Sequence, residues 1–386
     1  MDTNLHEWDF MGKLLDGAEV EWKALGEIAN ILRGKRLTRP QLSAAEIYPV
    51  FHGGLEPLGF YQNFNRPADS VMVINVGASA GTVGYSPVDF WSSDGCFCIE
   101  QSKSVNSRYL YHFLLGIQHI LQSKVRVAGI PTLDAPILEK LQIPIPPLHV
   151  QKEIVRILDT FTELTTELTT ELTNRKKQYN HYRDQLLSFE DGEVEWKTLG
   201  DVFEIFAGGD VPKSAFSKER KAGFDVPILS NGIGAKSLYG WTNKAKIQEP
   251  SLTVSARGTI GWTSYQDNPI FPIIRLLAFT PKIKLNLKYA YYYMKTIEDN
   301  YNVSKSGIPQ LTKPMVSDIK FPIPPLAEQA RIVAILDKFD TLTHSIIEGL
   351  PREIELRQKQ YEHYRNLLLS FPKPEEGTTK STKSTK

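Results

Sequence analysis

The chain has 386 residues, of which 41% are hydrophobic and 23% charged, and a net charge of +1 at pH 7; that is room for two or three domains with sizeable cores. Its two cysteines, Cys96 and Cys98, are too close in sequence for an ordinary disulfide and too few for a four-ligand zinc site. No apolar run approaches the roughly 20 residues of a membrane span, and the acidic, mixed opening MDTNLHEWDF is unlike a signal peptide, so a cytoplasmic chain with no membrane partner is expected.

In chain order, residues 1–18 form an N-terminal arm. Residues 19–147 are rich in Gly, Pro, aromatic and β-branched residues, with short strands such as SVMVINVGA and a helix over SRYLYHFLLGIQHILQ. The prolines of IPIPPL then start a long helix predicted over 148–190. Its stripe runs through Ile154, Leu158, Phe161, Leu164, Leu168 and Leu172 at steps of three and four. Inside it, residues 162–173 read TELTTELTTELT, one four-residue unit written three times. Each such unit adds about 6 Å to a helix and turns the chain beyond it by about 40°. That makes the repeat a length adjuster, although a merely repetitive coiled coil reads the same.

Residues 191–325 return to the first texture, with strands in PSLTVSARGTIGWTSY and a helix over LKYAYYYMKTI. After FPIPPL a C-terminal spacer is expected over 326–372, its stripe running through Ile332, Leu336, Phe339, Leu342 and Ile346. Gly349 and Pro351 should kink or interrupt it. The tail 373–386, ending GTTKSTKSTK, reads as disordered.

The chain is written twice. EVEWKALGEIANILRG recurs as EVEWKTLGDVFEIFAG, GASAGTVGY is echoed by VSARGTIGW, and RYLYHFL by KYAYYYM. GIPTL recurs as GIPQL, and QYNHYRDQLLSF as QYEHYRNLLLSF, in the same order. The period is far longer than a solenoid repeat, so a whole domain with its helix is duplicated. Each apolar seam wants a partner helix, and its own copy, running antiparallel, is the natural one.

Lys and Arg outnumber Asp and Glu by 11 to 10 over residues 20–147, and by 17 to 11 over residues 194–325. A basic domain interleaved with aromatic and Gly residues suits nucleic acid, where cations meet phosphates and loops reach base edges. Candidate contacts in the first domain are Arg33, Lys35, Arg36 and Arg39 of LRGKRLTR, Ser79 and Thr82 of the glycine-rich turn, and Lys124 with Arg126. In the second they are Lys213, Asn231 and Lys236, Arg257 with Thr259, and Lys305, Gln310 and Lys313. Taken singly, turn geometry or solubility accounts for each of them equally well.

Motifs of catalysis are near misses. SNGIGAKS has Ser230 and Ala235 where a phosphate-binding loop needs glycines. NPIF has Ile270 where the N-P-P-[YF] motif of amino-methyltransferases has proline, with no fitting cofactor loop upstream. No metal-ligand spacing and no catalytic residue can be named.

The duplication, the paired spacer helices, the TELT units, KKQYNHYRDQLLSF and EGLPREIELRQKQYEHYRNLLLSFPKPE together resemble the DNA-specificity subunit of type I restriction–modification enzymes, most closely the type IC group. The resemblance implies an α+β fold: two similar mixed α/β target-recognition domains separated by a pair of long antiparallel coiled-coil helices, with a pseudo-twofold internal repeat. It implies that each domain reads one half of a bipartite asymmetric target in double-stranded DNA, and that the helix pair sets the gap. Two modification (methyltransferase) subunits would dock on the helices, joined by restriction (translocase/nuclease) subunits. S-adenosylmethionine, ATP and Mg2+ would be used by those partners and no cofactor bound by this chain. The competing readings are a coiled-coil scaffold without DNA specificity and an independent methyltransferase.

Overall fold

The structure is a computed structural model that describes residues 12–190, 192–303, 308–345 and 347–372. Its contacts divide the chain into two units, residues 1–168 with 353–386, and residues 169–352. Five helices have ten or more residues among those described: α1 (Ser107–Gly116), α2 (Leu148–Leu186), α3 (Leu287–Thr296), α4 (Leu326–His344) and α5 (Leu350–Leu368).

In the first unit, β1 (Glu21–Ala24) pairs with β9 (Gln142–Ile145). The strands β2 (Ile31–Arg33), β8 (Cys96–Ile99), β5 (Ser70–Ile74) and β6 (Val83–Ser86) form an antiparallel sheet in that order. A smaller sheet holds β4 (Gly59–Tyr61), β3 (Tyr48–Phe51) and β7 (Trp91–Ser92), the last two parallel. β5 is buried at every position, as its β-branched and apolar run requires of a central strand.

The second unit repeats this order. β10 (Glu195–Thr198) pairs with β18 (Lys320–Ile323). The larger sheet runs β11 (Phe203–Ala207), β17 (Leu276–Pro281), β14 (Ser251–Ser255), β15 (Thr263–Gln266), and the smaller one β13 (Leu238–Thr242), β12 (Val226–Leu229), β16 (Phe271–Pro272). The duplication is therefore one of topology as well as of sequence.

The echo between GASAGTVGY and VSARGTIGW is three residues out of register. Gly81 (φ +87°) donates its amide to the carbonyl of Ile74, and Gly261 (φ +89°) does the same to Ser255. The structural partner of Gly81 is thus Gly261, not the Gly258 that the sequence echo aligns with it. The second turn is one residue shorter, and repeated glycines offer several equivalent registers to an eye following sequence alone.

The same polar ties close each unit. Asn106 caps α1 by accepting from the amides of Arg108 and Tyr109, and Asn286 caps α3 from Lys288 and Tyr289. Gln151, wholly buried, accepts from the Asn106 amide at 2.8 Å and donates to the Pro146 carbonyl at 2.8 Å. Gln329 makes the matching pair with Asn286 and Pro324. The tyrosine hydroxyls of Tyr109 and Tyr289 donate to Pro144 and Pro322. One glutamine in each copy thereby joins the end of a strand, the cap of a helix and the start of a spacer.

Beside these ties, Asp159 accepts from Arg108 at 2.8 Å and from His112 Nε2 at 2.8 Å, while His112 Nδ1 lies 2.9 Å from the Tyr361 hydroxyl. A carboxylate only accepts, so Nε2 carries the ring proton and Nδ1 takes one from Tyr361. In the second unit Lys288 and the Tyr292 hydroxyl meet Asp337 at 2.7 and 2.6 Å. Burial pushes the His112 pKa below its ordinary 6.5, outweighing the pull of Asp159, whose charge Arg108 already shares. Burial works to raise the Asp159 carboxyl, but hydrogen bonds from His112 and Arg108 hold it below the usual range.

α2 is continuous for 39 residues. α2 begins at Leu148, and Ile154 and Leu158, expected on the spacer seam, are wholly buried in the core of the first unit, so the first turns of the helix pack as part of that core. Phe161 stacks on Tyr364 of α5, with ring centroids 5.1 Å apart. In the second unit Tyr182 stacks on Phe339 and Tyr179 meets His344, so α2 and α4 run antiparallel. Ile332 and Leu336 are wholly buried there. Leu164, Leu168, Leu172 and Leu342 are half-buried, and Ile346 lies outside the described residues. The spacer expected over 326–372 is two helices, each of 19 residues. Ser345 leaves helical geometry (ψ 126°), Gly349 has φ +92°, and a Cβ there would run into the carbonyl of Thr341. Pro351 then sits at the second position of α5, where its missing N–H costs nothing. The tail 373–386 and residues 1–11 of the arm lie outside the described residues; Leu14 and Leu15 pack on the first unit's core.

These ties can be probed one at a time. Gln151→Ala removes the partner of three backbone groups, the Asn106 amide and the carbonyls of Pro146 and Ser104, and should lower stability by about 1–3 kcal/mol, with Gln329→Ala, which bonds Asn286 and Pro324, having a like effect in its own unit; denaturant titration followed by hydrogen exchange in each unit measures this. A His pKa below its unfolded value means that the stability held by neutral His112 is full above about pH 6.5 and is lost as pH falls through the folded value. The thermal midpoint of the first unit should fall on acidification from pH about 7 to 5.5, a drop that His112→Gln removes; the second unit, with Tyr292 in that place, has no such group.

Candidate nucleic-acid interface

In the first unit, the loops leaving the ends of the strands meet around Gly95. Its carbonyl accepts from Gly53 and Asn75, and its amide donates to His52 Nδ1 at 3.2 Å. Gly34 donates to Cys96, Lys35 donates to Ser92 at 2.9 Å, and a Cβ on Gly34 would run into the Ser93 carbonyl. That close approach requires glycine and presents Arg33, Lys35 and Arg36 beside it, all exposed. Asn75 accepts from Leu133 and Gly77 donates to Pro131, which ties the glycine-rich turn carrying Ser79 and Thr82 to a hairpin closed by Arg126 and Thr132.

The second unit builds the same edge. Gly208 donates to Leu276, and a Cβ on it would run into the Ile273 carbonyl. Ala256 donates to Arg275 at 2.8 Å and accepts from Leu311 at 2.7 Å, as Asn75 does with Gly95 and Leu133. Lys236 lies in the 3-10 turn Gly234–Ser237, Lys213 opens the turn Lys213–Ala215, and Gln310 and Lys313 are exposed next to Leu311.

Several expected contacts are otherwise engaged. Asn231, a candidate DNA contact, donates its amide to the Arg257 carbonyl at 2.5 Å, and the Thr259 hydroxyl donates to the Asn231 carbonyl at 2.5 Å. These two residues tie neighbouring loops together. Arg126 faces Asp134 at 3.9 Å, a weak exposed pair. Arg39 lies in the turn Arg39–Gln41, on a cleft with Leu42 and Phe60. Lys124 caps the helix before the hairpin through its backbone N–H and is itself exposed, Arg257 is half-buried, and Lys305 lies outside the described residues. The basic excess of the second domain overstates what is available to a ligand at Lys295, which is paired with Glu298 and lies over the Trp262 ring.

Two residues on this edge have no sequence signal. Lys246 stands 4.5 Å from the Phe206 ring beside the Gly208–Gly209 turn. Arg275 is exposed with φ +75°, a left-handed conformation that non-glycine residues rarely adopt, and its guanidinium makes no ion pair among the described residues. Nothing in FPIIRLL distinguishes it from a strand residue.

The family model described as type I restriction modification DNA specificity domain matches residues 18–177 and again 192–356. The chain belongs to that family. It is a specificity subunit of a type I restriction–modification system, and its two matched segments are the two copies of the internal repeat. The EcoR124I/EcoR124II specificity subunit of Escherichia coli is 35% identical, covering 96% of this chain and 99% of the relative. A putative type I restriction enzyme specificity subunit of Haemophilus influenzae is 34% identical, covering 94% and 98%. In fold, this specificity subunit is similar to the crystal structure of the type I S subunit from M. genitalium, with a TM-score of 0.64 at 17% identity over 93% of this chain and 98% of that one. No helix among the described residues is long and apolar enough to cross a membrane.

The edge generates a paired outcome at Arg275. Arg275→Gly relieves the left-handed strain and should raise the second unit's stability by about 0.5–1 kcal/mol. The same change should weaken DNA binding and reduce its salt slope by about one phosphate contact. Thermal melting without DNA and a salt titration of binding separate the two effects.

Proposed function

We propose that each loop-lined edge reads one half of a bipartite, asymmetric duplex target, and that α2 with α4 and α5 sets the gap between the halves. The observation that carries this reading is the position of the TELT units. The boundary between the two units falls between Leu168 and Thr169, inside the repeats of 162–173. The repeat threonines bond back along their own helix: Thr162 to the Leu158 carbonyl, Thr165 to Phe161, Thr166 to Thr162, and Thr173 to Thr169. These four hydroxyls find an acceptor within their own helix. Short repeats in this place also support the type IC assignment.

On this reading the spacer helices dock two modification subunits, which supply S-adenosylmethionine and methyl transfer. Restriction subunits supply ATP- and Mg2+-dependent translocation and cleavage. The chain itself works in the cytoplasm as the non-catalytic reader, in keeping with its lack of an assembled nucleophile and base in sequence.

Deleting one TELT unit shortens α2 by about 6 Å and rotates the second unit's end of the helix by about 40°. With about 3.4 Å and 34–36° per base pair, the gap should change by about one or two base pairs while both half-sites persist. Methylome sequencing of a host carrying the chain with its modification partner reads this out. An unaltered gap would remove the spacing role, and absence of any methylated motif would favour a scaffold. S-adenosylmethionine binding by the chain alone would overturn its non-catalytic assignment.

A further inference from the structure

GIPTL and GIPQL are the shortest segments that both copies keep, and the fold explains most of each. Leu133 and Leu311 are buried, and their amides bond to Asn75 and Ala256. Gly129 has φ +83°. Pro131 offers its carbonyl to Gly77. The isoleucine is the exception: Ile130 and Ile308 are both 70% exposed. A single exposed apolar side chain is ordinary. The same one, equally exposed, at the same place in both copies and on the edge that carries the basic loops, calls for a ligand.

In the first unit the hairpin between Arg126 and Thr132 also leaves Val127 79% exposed, so its tip is apolar while Lys124 and Arg126 flank it. Cations beside an apolar tip fit a duplex, whose phosphates surround grooves lined by base faces and thymine methyls. Resting on the proposed DNA-recognition role, we infer that Ile130 and Ile308 are apolar probes that seat against bases, one in each half-site, while neighbouring Lys and Arg hold the backbone.

The test uses the full chain assembled with its modification subunits and a duplex carrying the motif identified by methylome sequencing. Ile130→Ala and Ile308→Ala should each weaken binding about tenfold, at every salt concentration, leaving the slope of log Kd against log salt unchanged. Lys124→Ala should instead reduce that slope by about one. Ile→Val at either position should stay within about twofold of wild type, because most of the apolar contact remains. Alanine variants that bind within about twofold of wild type, or that change the salt slope, overturn the inference and leave the recognition role intact. Loss of thermal stability or of assembly with the modification subunits also overturns it, by making the side chain a structural or docking group. Failure of the wild-type assembly to prefer its motif would strike the recognition role itself, and this inference with it.

Discussion

One unbroken helix supplies core residues to both units. Ile154 and Leu158 of α2 are buried among the strands and helices of the first, and Tyr179 is buried in the second. A helix built into a core at each end cannot slide or roll without exposing apolar surface, and burying such side chains is worth roughly 1.5–3 kcal/mol apiece. Its middle, by contrast, carries half-buried leucines, exposed glutamates and threonines that satisfy themselves. The ends are fixed by packing and the middle is free to vary in length. That division of labour is what makes a four-residue repeat tolerable to the fold.

The two copies have diverged unevenly. The ties around the spacer starts are kept almost atom for atom: Gln151 and Gln329, Asn106 and Asn286, Tyr109 and Tyr289 make matching hydrogen bonds. These groups are buried or half-buried and polar, so losing one partner strands the other. A position that meets the equivalent aspartate has drifted, His112 on Asp159 in one copy and Tyr292 on Asp337 in the other, and both side chains can donate one hydrogen bond there. The loops that carry the candidate contacts have diverged more, keeping chiefly the close approaches at Gly34 and Gly208, the turn glycines Gly81 and Gly261, and the segments GIPTL and GIPQL. The arrangement is a constant frame presenting two different readers.

Along the loop-lined edge, some side chains of the type that reads bases bond within the protein. Asn231 and Thr259 have the side chains expected of base readers, yet each is engaged with a backbone carbonyl of the adjoining loop. Arg275 and Lys246 lie on the edge unheralded. Donors that face inward and donors that face outward look identical in sequence. Only the crossing of chain segments distant in number, such as 256 with 275 and 311, separates them.

What the sequence determined by itself was the duplication, the strand-rich and helical textures and the long seam of α2; at Gly349 and Pro351 it marked a kink or a break, and the structure has a break. Those features are written in local periodicity and in backbone chemistry that proline and glycine impose wherever they stand. The tertiary structure alone decided that the first turns of each spacer belong to a core, that Gly81 answers to Gly261, and which loop residues are left facing outward. Each of these depends on hydrogen bonds and packing between residues tens to hundreds of positions apart, and no local pattern encodes that proximity.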